Sequence, residues 1–364
     1  MSKVDLISGD GLNANGTVGQ RILGDGIFTP SENRPFLDDD GKVKIMVYNY
    51  KKGPQTEIKA WEKMPINVNA ATVLRKDEWK QLDEAVQGAA RERLAGVSDL
   101  ESRGLVFNLG NAMATTVLEY DEQDDFGSAS VSMDGLTRGK NDRPEFERKL
   151  LPIPITHADY QINLRALEAS RRLGNGIDTI DAEMAARNVA VIQEDMLFKN
   201  TTYGFAGGTI YSYINHPSRN TKAIVKNWDD STKTGEDIVN QVLAMKQDAI
   251  DDGHYGPYML YIPTDYETAI DKDYDTSTPG TTIRERLLKI ENILGIKTID
   301  RLPANNVLLV QMTSNVVRLV KGFGLTNVQW DSEGGFAKNF KVMTIQLPQI
   351  RAAAGGKSGI VHLA

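Results

Sequence analysis

Cysteine is absent from the 364 residues, which excludes disulfides, a thiolate nucleophile and any cysteine-ligated zinc site, and leaves packing as the source of stability. Histidine is scarce. His157, His216, His254 and His362 are scattered, with no pair at i, i+3 or i+4 spacing to form a helical metal site. Basic excess is missing too: a net charge of -7 argues against phosphate-driven nucleic-acid binding, which needs a cationic footprint to displace counterions. Any nucleic acid is a neighbour rather than a ligand. No apolar run approaches the roughly 20 residues of a membrane span, and the first residues lack an apolar stretch flanked by basic ones. The chain therefore reads as soluble and unsecreted, with no membrane partner.

Catalytic motifs are also lacking. Gly356-Lys-Ser358 imitates the end of a phosphate-binding loop, but Arg351 stands where the first glycine belongs and no helix follows. Asp125-Phe-Gly127 has no glycine-rich loop, lysine strand or catalytic loop upstream, so it is not a kinase triplet. Asp38-Asp-Asp-Gly41 has Phe36 and Val47 where a calcium loop needs an acid and a glutamate, and reads as a turn. No Gly-x-Ser-x-Gly elbow exists, and no catalytic, cofactor-binding or metal-binding residue is assigned.

What is present is an order of elements. With 40% hydrophobic residues the chain can bury a substantial core. Residues Met1 to about Asn69 are rich in Gly, Asn and Asp, with Gly9–Leu12 echoed by Gly24–Ile27 as turns and Val43–Tyr50 as a short alternating strand. Such a segment reads as an arm that needs a neighbouring subunit to hold it. From Lys76 to Arg103 the pattern is helical, with Trp79, Leu82, Val86, Ala89 and Ala90 on one face.

Gly104 to Pro154 reads as a long hairpin, with strands Ala114–Tyr120 and Phe146–Ile153 around a polar tip. Its outgoing side carries Glu119, Asp121, Glu122, Asp124 and Asp125, and its return side Arg138, Lys140, Arg143, Arg148 and Lys149. Opposed charge on a long loop suits it to lie across a complementary neighbour.

Gly176–Lys199 predicts a helix capped by Asp178 or Thr179, with Asp178, Asp181 and Glu183 at the positive end of the dipole. Ala185, Val189, Ile192 and Met196 form one stripe, and Ala182, Ala186, Ala190 and Leu197 the adjoining one, so the helix is expected to pack on both sides. Glu194 and Asp195 oppose the dipole in its last turn and call for cations from elsewhere: another chain, or the acid-free stretch beyond Glu333 with Lys338, Lys341, Arg351 and Lys357.

Further on, Thr201–Pro217 is a loop and Thr234–Ile250 a capped helix. Pro257–Pro263 is a buried strand and Ile283–Leu294 a helix. Ile296–Asp300, Val307–Met312, Val316–Val320 and Asn327–Trp330 are strands. The fold class is α+β.

In this order the segments Glu78–Ala85 with Ser102–Val106, Leu151–Pro154, Gly176–Phe198 and Thr234–Tyr261, followed by strands over Val307–Gly324 and Phe340–Leu363, resemble the major capsid proteins of tailed bacteriophages, of the Hong Kong ninety-seven type, and their encapsulin-like branch. The likeness spans about 290 residues.

It implies an N-terminal arm over 1–75, an amphipathic helix over 76–103 and an E-loop over 104–156. A P-domain over 157–215 holds a spine helix at 177–199, an A-domain covers 216–315, and return strands to the P-domain cover 316–364. The function it implies is a structural, non-enzymatic subunit that self-assembles as pentamers and hexamers of an icosahedral shell around a phage genome. That subunit is built in the host cytoplasm and found in the virion, with DNA as a non-specific neighbour and separate scaffolding, portal and decoration proteins as partners. The alternative is an encapsulin-type compartment around a cargo enzyme. The arm before the Trp79 helix is an addition to the encapsulin pattern and favours the virion. The assembly-interface candidates are Trp79, Asp121, Asp124, Asp125, Arg138, Lys140, Arg143, Arg148, Lys149, Glu194 and Asp195.

Overall fold

The computed structural model describes residues 36–38, 42–52, 57–65, 74, 76–91, 95–123, 133, 146–172, 179–275, 280–332, 337–353 and 356–364. The echoed glycine turns near the start and the cap candidate Asp178 lie outside them. Strands β1 (Phe36–Leu37), β2 (Val43–Lys52) and β3 (Glu57–Pro65) form an antiparallel sheet in that order. Its first turn is closed by the Asp38 N–H donating to the Lys42 carbonyl at 3.0 Å and by a Lys44–Asp38 ion pair at 2.6 Å. Asp39, Asp40 and Gly41 of the motif read as a turn lie outside the described residues.

The helical stretch expected over 76–103 is two helices, α1 (Lys76–Arg91) and α2 (Ala95–Ser102). At Gly96 the second of these touches the spine: a Cβ there would lie 2.4 Å from the ring of Phe198, so only glycine lets the helix come this close.

Four strands form the first large sheet, in the order β4 (Val106–Asn108), β14 (Val317–Ser332), β15 (Ala337–Ile350) and β7 (Thr156–Asn163). Two sequence-predicted strands, Val316–Val320 and Asn327–Trp330, are parts of the single strand β14, whose register against β15 shifts between Lys321 and Thr326. Strand β15 is buried on both faces, and its alternation sorts two cores. Phe340 and Val342 pack with Leu82 and Val86 of α1 and with Ala182, Ala185, Ala186 and Val189 of the spine helix α4 (Ile180–Phe198). Met343, Ile345 and Leu347 face the other way, onto Leu151, Ile153, Ile210 and Phe323. The run of alanines is what admits α1 against α4 at close range. Helix α3 (Leu164–Arg172) follows β7.

Thr179 occupies the N-cap position of α4, but its hydroxyl donates to the Glu183 carboxylate at 3.0 Å instead of capping a backbone N–H. Both predicted stripes of α4 are largely buried, against α1 and the first sheet, with Ala185 and Val189 in one stripe and Ile192 as its exposed member. Ala182, Ala186, Val189, Ala190 and Leu197 are buried, whereas Ile180, Met184 and Ile192 are exposed.

The second sheet runs β10 (Asn220–Lys222), β16 (Ile360–Leu363), β13 (Val307–Gln311), β11 (Tyr258–Pro263) and β12 (Ile293–Ile299). Helix α5 (Gly235–Asp251) covers one face through Ile238, Val239, Val242, Met245 and Ala249. It starts at a capping box in which Thr234 and Asp237 satisfy each other's backbone N–H, at 3.2 and 3.1 Å. The opposite face, with Met259, Tyr261, Leu308, Val310 and Ile360, packs on α2, on the end of α4 and on the start of β14. Burial on both faces is why Tyr258–Pro263 reads as an unbroken apolar run.

Two expectations are corrected here. The final strand β16 lies in this second sheet, between β10 and β13, instead of returning to the first with β14 and β15. The predicted helix Ile283–Leu294 ends early: α7 covers Ile283–Leu288, and after Asn292 at φ 67° the chain joins β11 as a parallel partner from Ile293. Sheet pairing overrides the helical spacing of Ile290 and Leu294. A short helix α6 (Glu267–Ile270) follows β11 through a 3₁₀ turn over Thr264–Tyr266.

Candidate functional site: the hairpin base and the spine joint

The long loop begins as predicted, as an antiparallel pair of β5 (Val117–Gln123) and β6 (Phe146–Pro152). On β6 exposure falls from Phe146 at 63% to Leu151 at 4%, while Glu122 of β5, beside the Phe146 end, is buried, so the described pair rests on the body along one face with Phe146 in solvent. The anchor combines the Leu151 cluster, an Ala352 N–H donating to Glu122 at 3.2 Å, and a second hairpin packed against β6. That hairpin is β8 (Tyr203–Phe205) and β9 (Gly208–Ile210), turned through Ala206 and Gly207, both at positive φ. A Cβ on Gly208 would sit 2.4 Å from the Leu150 carbonyl oxygen, so the two backbones touch.

A cavity of about 270 Å³ lies at this base, lined by Tyr120, Glu122, Lys149, Tyr211 and His216 among others. Burial, opposed by the Ala352 N–H and by Lys149, holds Glu122 above the usual carboxylate range. Burial and the charges of Arg219 and Lys149 push His216 down to about 4.

The charge segregation read from the sequence takes a different form in the fold. Antiparallel pairing sets Asp121 opposite Arg148. Arg148 meets Asp121 at 3.3 Å and Glu119 at 3.5 Å, and Lys149 pairs with Glu147, so these charges meet within the hairpin. All are at least a third exposed, and such pairs contribute about 0–1 kcal/mol each. Asp124, Asp125, Arg138, Lys140 and Arg143 lie outside the described residues, as does the side chain of Trp79 on α1.

The acids at the end of α4 find their partners inside the chain. Asp195 accepts two hydrogen bonds from the Arg301 guanidinium, at 2.6 and 2.8 Å, with Lys199 at 3.4 Å. Burial works against its ionisation, but Arg301 and then Lys199 outweigh it and hold the carboxyl below the usual range. The acid-free stretch beyond Glu333 does not supply these cations: Lys338 is fully buried, and Lys341 pairs with Asp159 at 3.4 Å.

Glu194 is 2% exposed and is a joint residue, not an interface residue. Its Oε1 accepts the Gly96 N–H at the start of α2 at 2.8 Å, and burial pushes its pKa up to about 7 against the Gly96 and Val97 amides and the Lys297 charge. Nearby, Asp99 of α2 accepts from the Tyr261 hydroxyl at 2.7 Å and pairs with Lys297 at 3.1 Å and Arg103 at 3.3 Å. Phe198, Tyr213 and Tyr261 stack edge-on and face-on between these groups.

Sequence reasoning missed Arg301, Asp99 and the close-approach glycines Gly96 and Gly208. Arg301 is 106 positions from its partner, and no local pattern connects them. The one readable signal was Asp99 itself, an acid on the apolar side of a short helix.

Among the described residues no helix is long and apolar enough to cross a membrane, and no group of three or more His, Asp or Glu is placed to hold a metal. A two-sheet body with a spine helix, an anchored hairpin protruding from it and a second sheet docked on the spine's end defines the fold of tailed-phage capsid proteins and encapsulin shells. The chain superposes on the virus-like particle protein of Pyrococcus furiosus with a TM-score of 0.58 at 18% identity, covering 78% of this chain and 98% of that one. Against the capsid of Myoviridae phage XM1 the TM-score is 0.56 at 9% identity, with 72% and 90% covered. In sequence it is 25% identical over 241 residues to the type 1 encapsulin shell protein EncA of Myxococcus xanthus (strain DK1622), spanning 66% of this chain and 73% of the relative. The chain belongs to the family of unknown function DUF6260, which it matches over residues 69–363.

Proposed function

We propose that this chain is the major capsid subunit of a tailed DNA phage, a structural protein and not an enzyme, which assembles with copies of itself into pentamers and hexamers of an icosahedral shell. The observation that carries this reading is the fold match itself, which takes in nine-tenths or more of a virus-like particle protein and of a phage capsid protein. On this reading the loop continuing from the β5–β6 pair extends onto a neighbouring copy. Contacts of this kind, repeated around a shell, sum to the obligate scale of roughly 2,000–5,000 Å². The net charge of -7 suits a wall around DNA, because strong attraction to phosphate would impede packing and release. The residues ahead of the family match at 69, with their three-stranded sheet, supply an arm to staple neighbours. On this reading the protein is assembled in the host cytoplasm, resides in the virion, and works with scaffolding, portal and decoration proteins.

The identity to EncA favours a second reading, a compartment shell that encloses a cargo enzyme. Purified particles separate the two. DNA inside large particles is the expected result; small uniform shells free of nucleic acid and holding a protein cargo would overturn the phage assignment in favour of the compartment.

A further inference from the structure

The joint between the spine helix and the second sheet contains one carboxylate without a counter-charge of its own. Glu194 Oε1 is engaged by the start of α2, whereas Oε2 is buried with no hydrogen-bond partner, as is the hydroxyl of Tyr213 beside it. The Gly96 and Val97 amides and the charge of Lys297 favour its ionised form without outweighing its burial, Asp195 opposes it, and Arg187 of its own helix lines the adjoining cavity; the other charges nearby pair with one another. On α2, Asp99 takes Arg103, Lys297 of β12 and the Tyr261 hydroxyl of β11. On α4, Asp195 takes Arg301. Next to this cluster lies a cavity of about 420 Å³, lined by Ala95, Arg187, Val191, Glu194, Asp300 and Arg301 among others, large enough for several water molecules.

We propose that Glu194 is a proton-operated latch. With its proton it lets α2, the end of α4 and the β11–β12 edge close on one another dry. Without it, the second carboxylate oxygen draws water in from the adjoining cavity and the joint opens. The physical basis is the asymmetry of burial: an unpartnered neutral oxygen is costly to bury, and an unpartnered charged one far more so. The ionised group keeps its hold on the helix N-terminus through Oε1, where the dipole favours it, so opening is expected between α4 and the sheet edge rather than at Gly96. Burial also shifts the group's titration to near neutrality, inside the range a living cell spans. The latch belongs to the subunit and does not rest on the proposed shell function.

Two measurements on the full chain test it. Infrared titration of the wild type should show a protonated-carboxyl carbonyl band that disappears near neutral pH and is missing from Glu194→Gln. Amide exchange at Tyr213 and Ile299, corrected for the intrinsic effect of pH, should rise about tenfold from about pH 6 to pH 8, following the ionised fraction of a group with a pKa of about 7. In Glu194→Gln, which is neutral at every pH, the exchange should be flat. The proposal is overturned if the wild type has no carboxyl titrating near neutrality, or if the rise in exchange persists in the glutamine variant. The infrared arm uses unaltered protein, so it stands even if the variant folds poorly.

Discussion

Replacing Gly208 by alanine is a direct probe of how the protruding hairpin is held. The new Cβ would stand 2.4 Å from the Leu150 carbonyl oxygen, 2.8 Å from its carbon and 3.0 Å from Leu150 Cβ. None of these atoms yields cheaply, because Leu150 is paired with Glu119 in the β5–β6 ladder and its neighbour Leu151 is locked in the core. The strands β9 and β6 must therefore part. Overpacking of this kind costs about 1–3 kcal/mol.

The same hairpin supplies the control. At Gly204 an added Cβ would meet only the Gly208 carbonyl oxygen at 3.8 Å and Thr209 Oγ1 at 3.9 Å, which is ordinary contact. There the loss of unfolded-chain freedom gives alanine about 0.4–1 kcal/mol of stabilisation. The two variants should thus differ by about 1.4–4 kcal/mol, read as a difference between chemical denaturation curves at equal protomer concentration, since assembly shifts apparent stability by mass action. Limited proteolysis should also cut Gly208→Ala faster within the hairpin. Equal stability of the two variants, within about 0.5 kcal/mol, would refute the packing of β9 on β6.

Four further outcomes are expected. Thr234→Ala removes the capping box of α5 and should cost about 1 kcal/mol, with Thr234→Ser retaining most of it, in the same denaturation assay. Glu194 has a folded-state pKa raised from 4.5 to about 7, so its contribution to stability is whole below about pH 4.5 and is lost as pH rises through about 7, a fall of about 3 kcal/mol that Glu194→Gln should abolish. Asp195, held low by Arg301, gives the opposite slope: its contribution is present above the unfolded carboxyl pKa and is lost as pH falls through the lower folded value, an acid-side loss that Asp195→Asn removes. Reversing Arg148 and Lys149 together should block shell formation while leaving folded, soluble subunits, because their own-chain pairs are exposed and contribute little; unchanged shells in electron micrographs would count against an intersubunit role for these two residues.

Much of the architecture was legible because local chemistry and tertiary role agree. The Thr234–Asp237 cap, the apolar run ending at Pro263 and the alanine-rich spine each specify an element whose burial follows from the pattern. Where they disagree, the sequence misleads. The spacing of Leu287, Ile290 and Leu294 suggests a continuing helix, yet parallel pairing of Ile293 with Tyr258 ends it. The stretch from Lys76 to Arg103 keeps one helical pattern through two helices, and the close approach of Gly96 to Phe198 leaves no mark on that pattern.

Strand β16 is short and apolar, and nothing local says which sheet it joins. The charge pattern was readable as composition but not as pairing. Asp121 and Arg148 face each other because antiparallel register brings them together, and Asp195 meets Arg301 through a fold that closes over 106 positions. The acids expected to look outward at the spine's end are turned inward, where one became an ion pair and the other a buried carboxyl.

Electron microscopy of the purified full-length chain, concentrated under conditions that favour association, tests the central claim most directly. Closed particles whose walls resolve into fivefold and sixfold clusters of this subunit, with the β5–β6 hairpin lying on a neighbour, are the predicted result. A chain that stays monomeric at every concentration, with that hairpin in contact only with its own body, would contradict it.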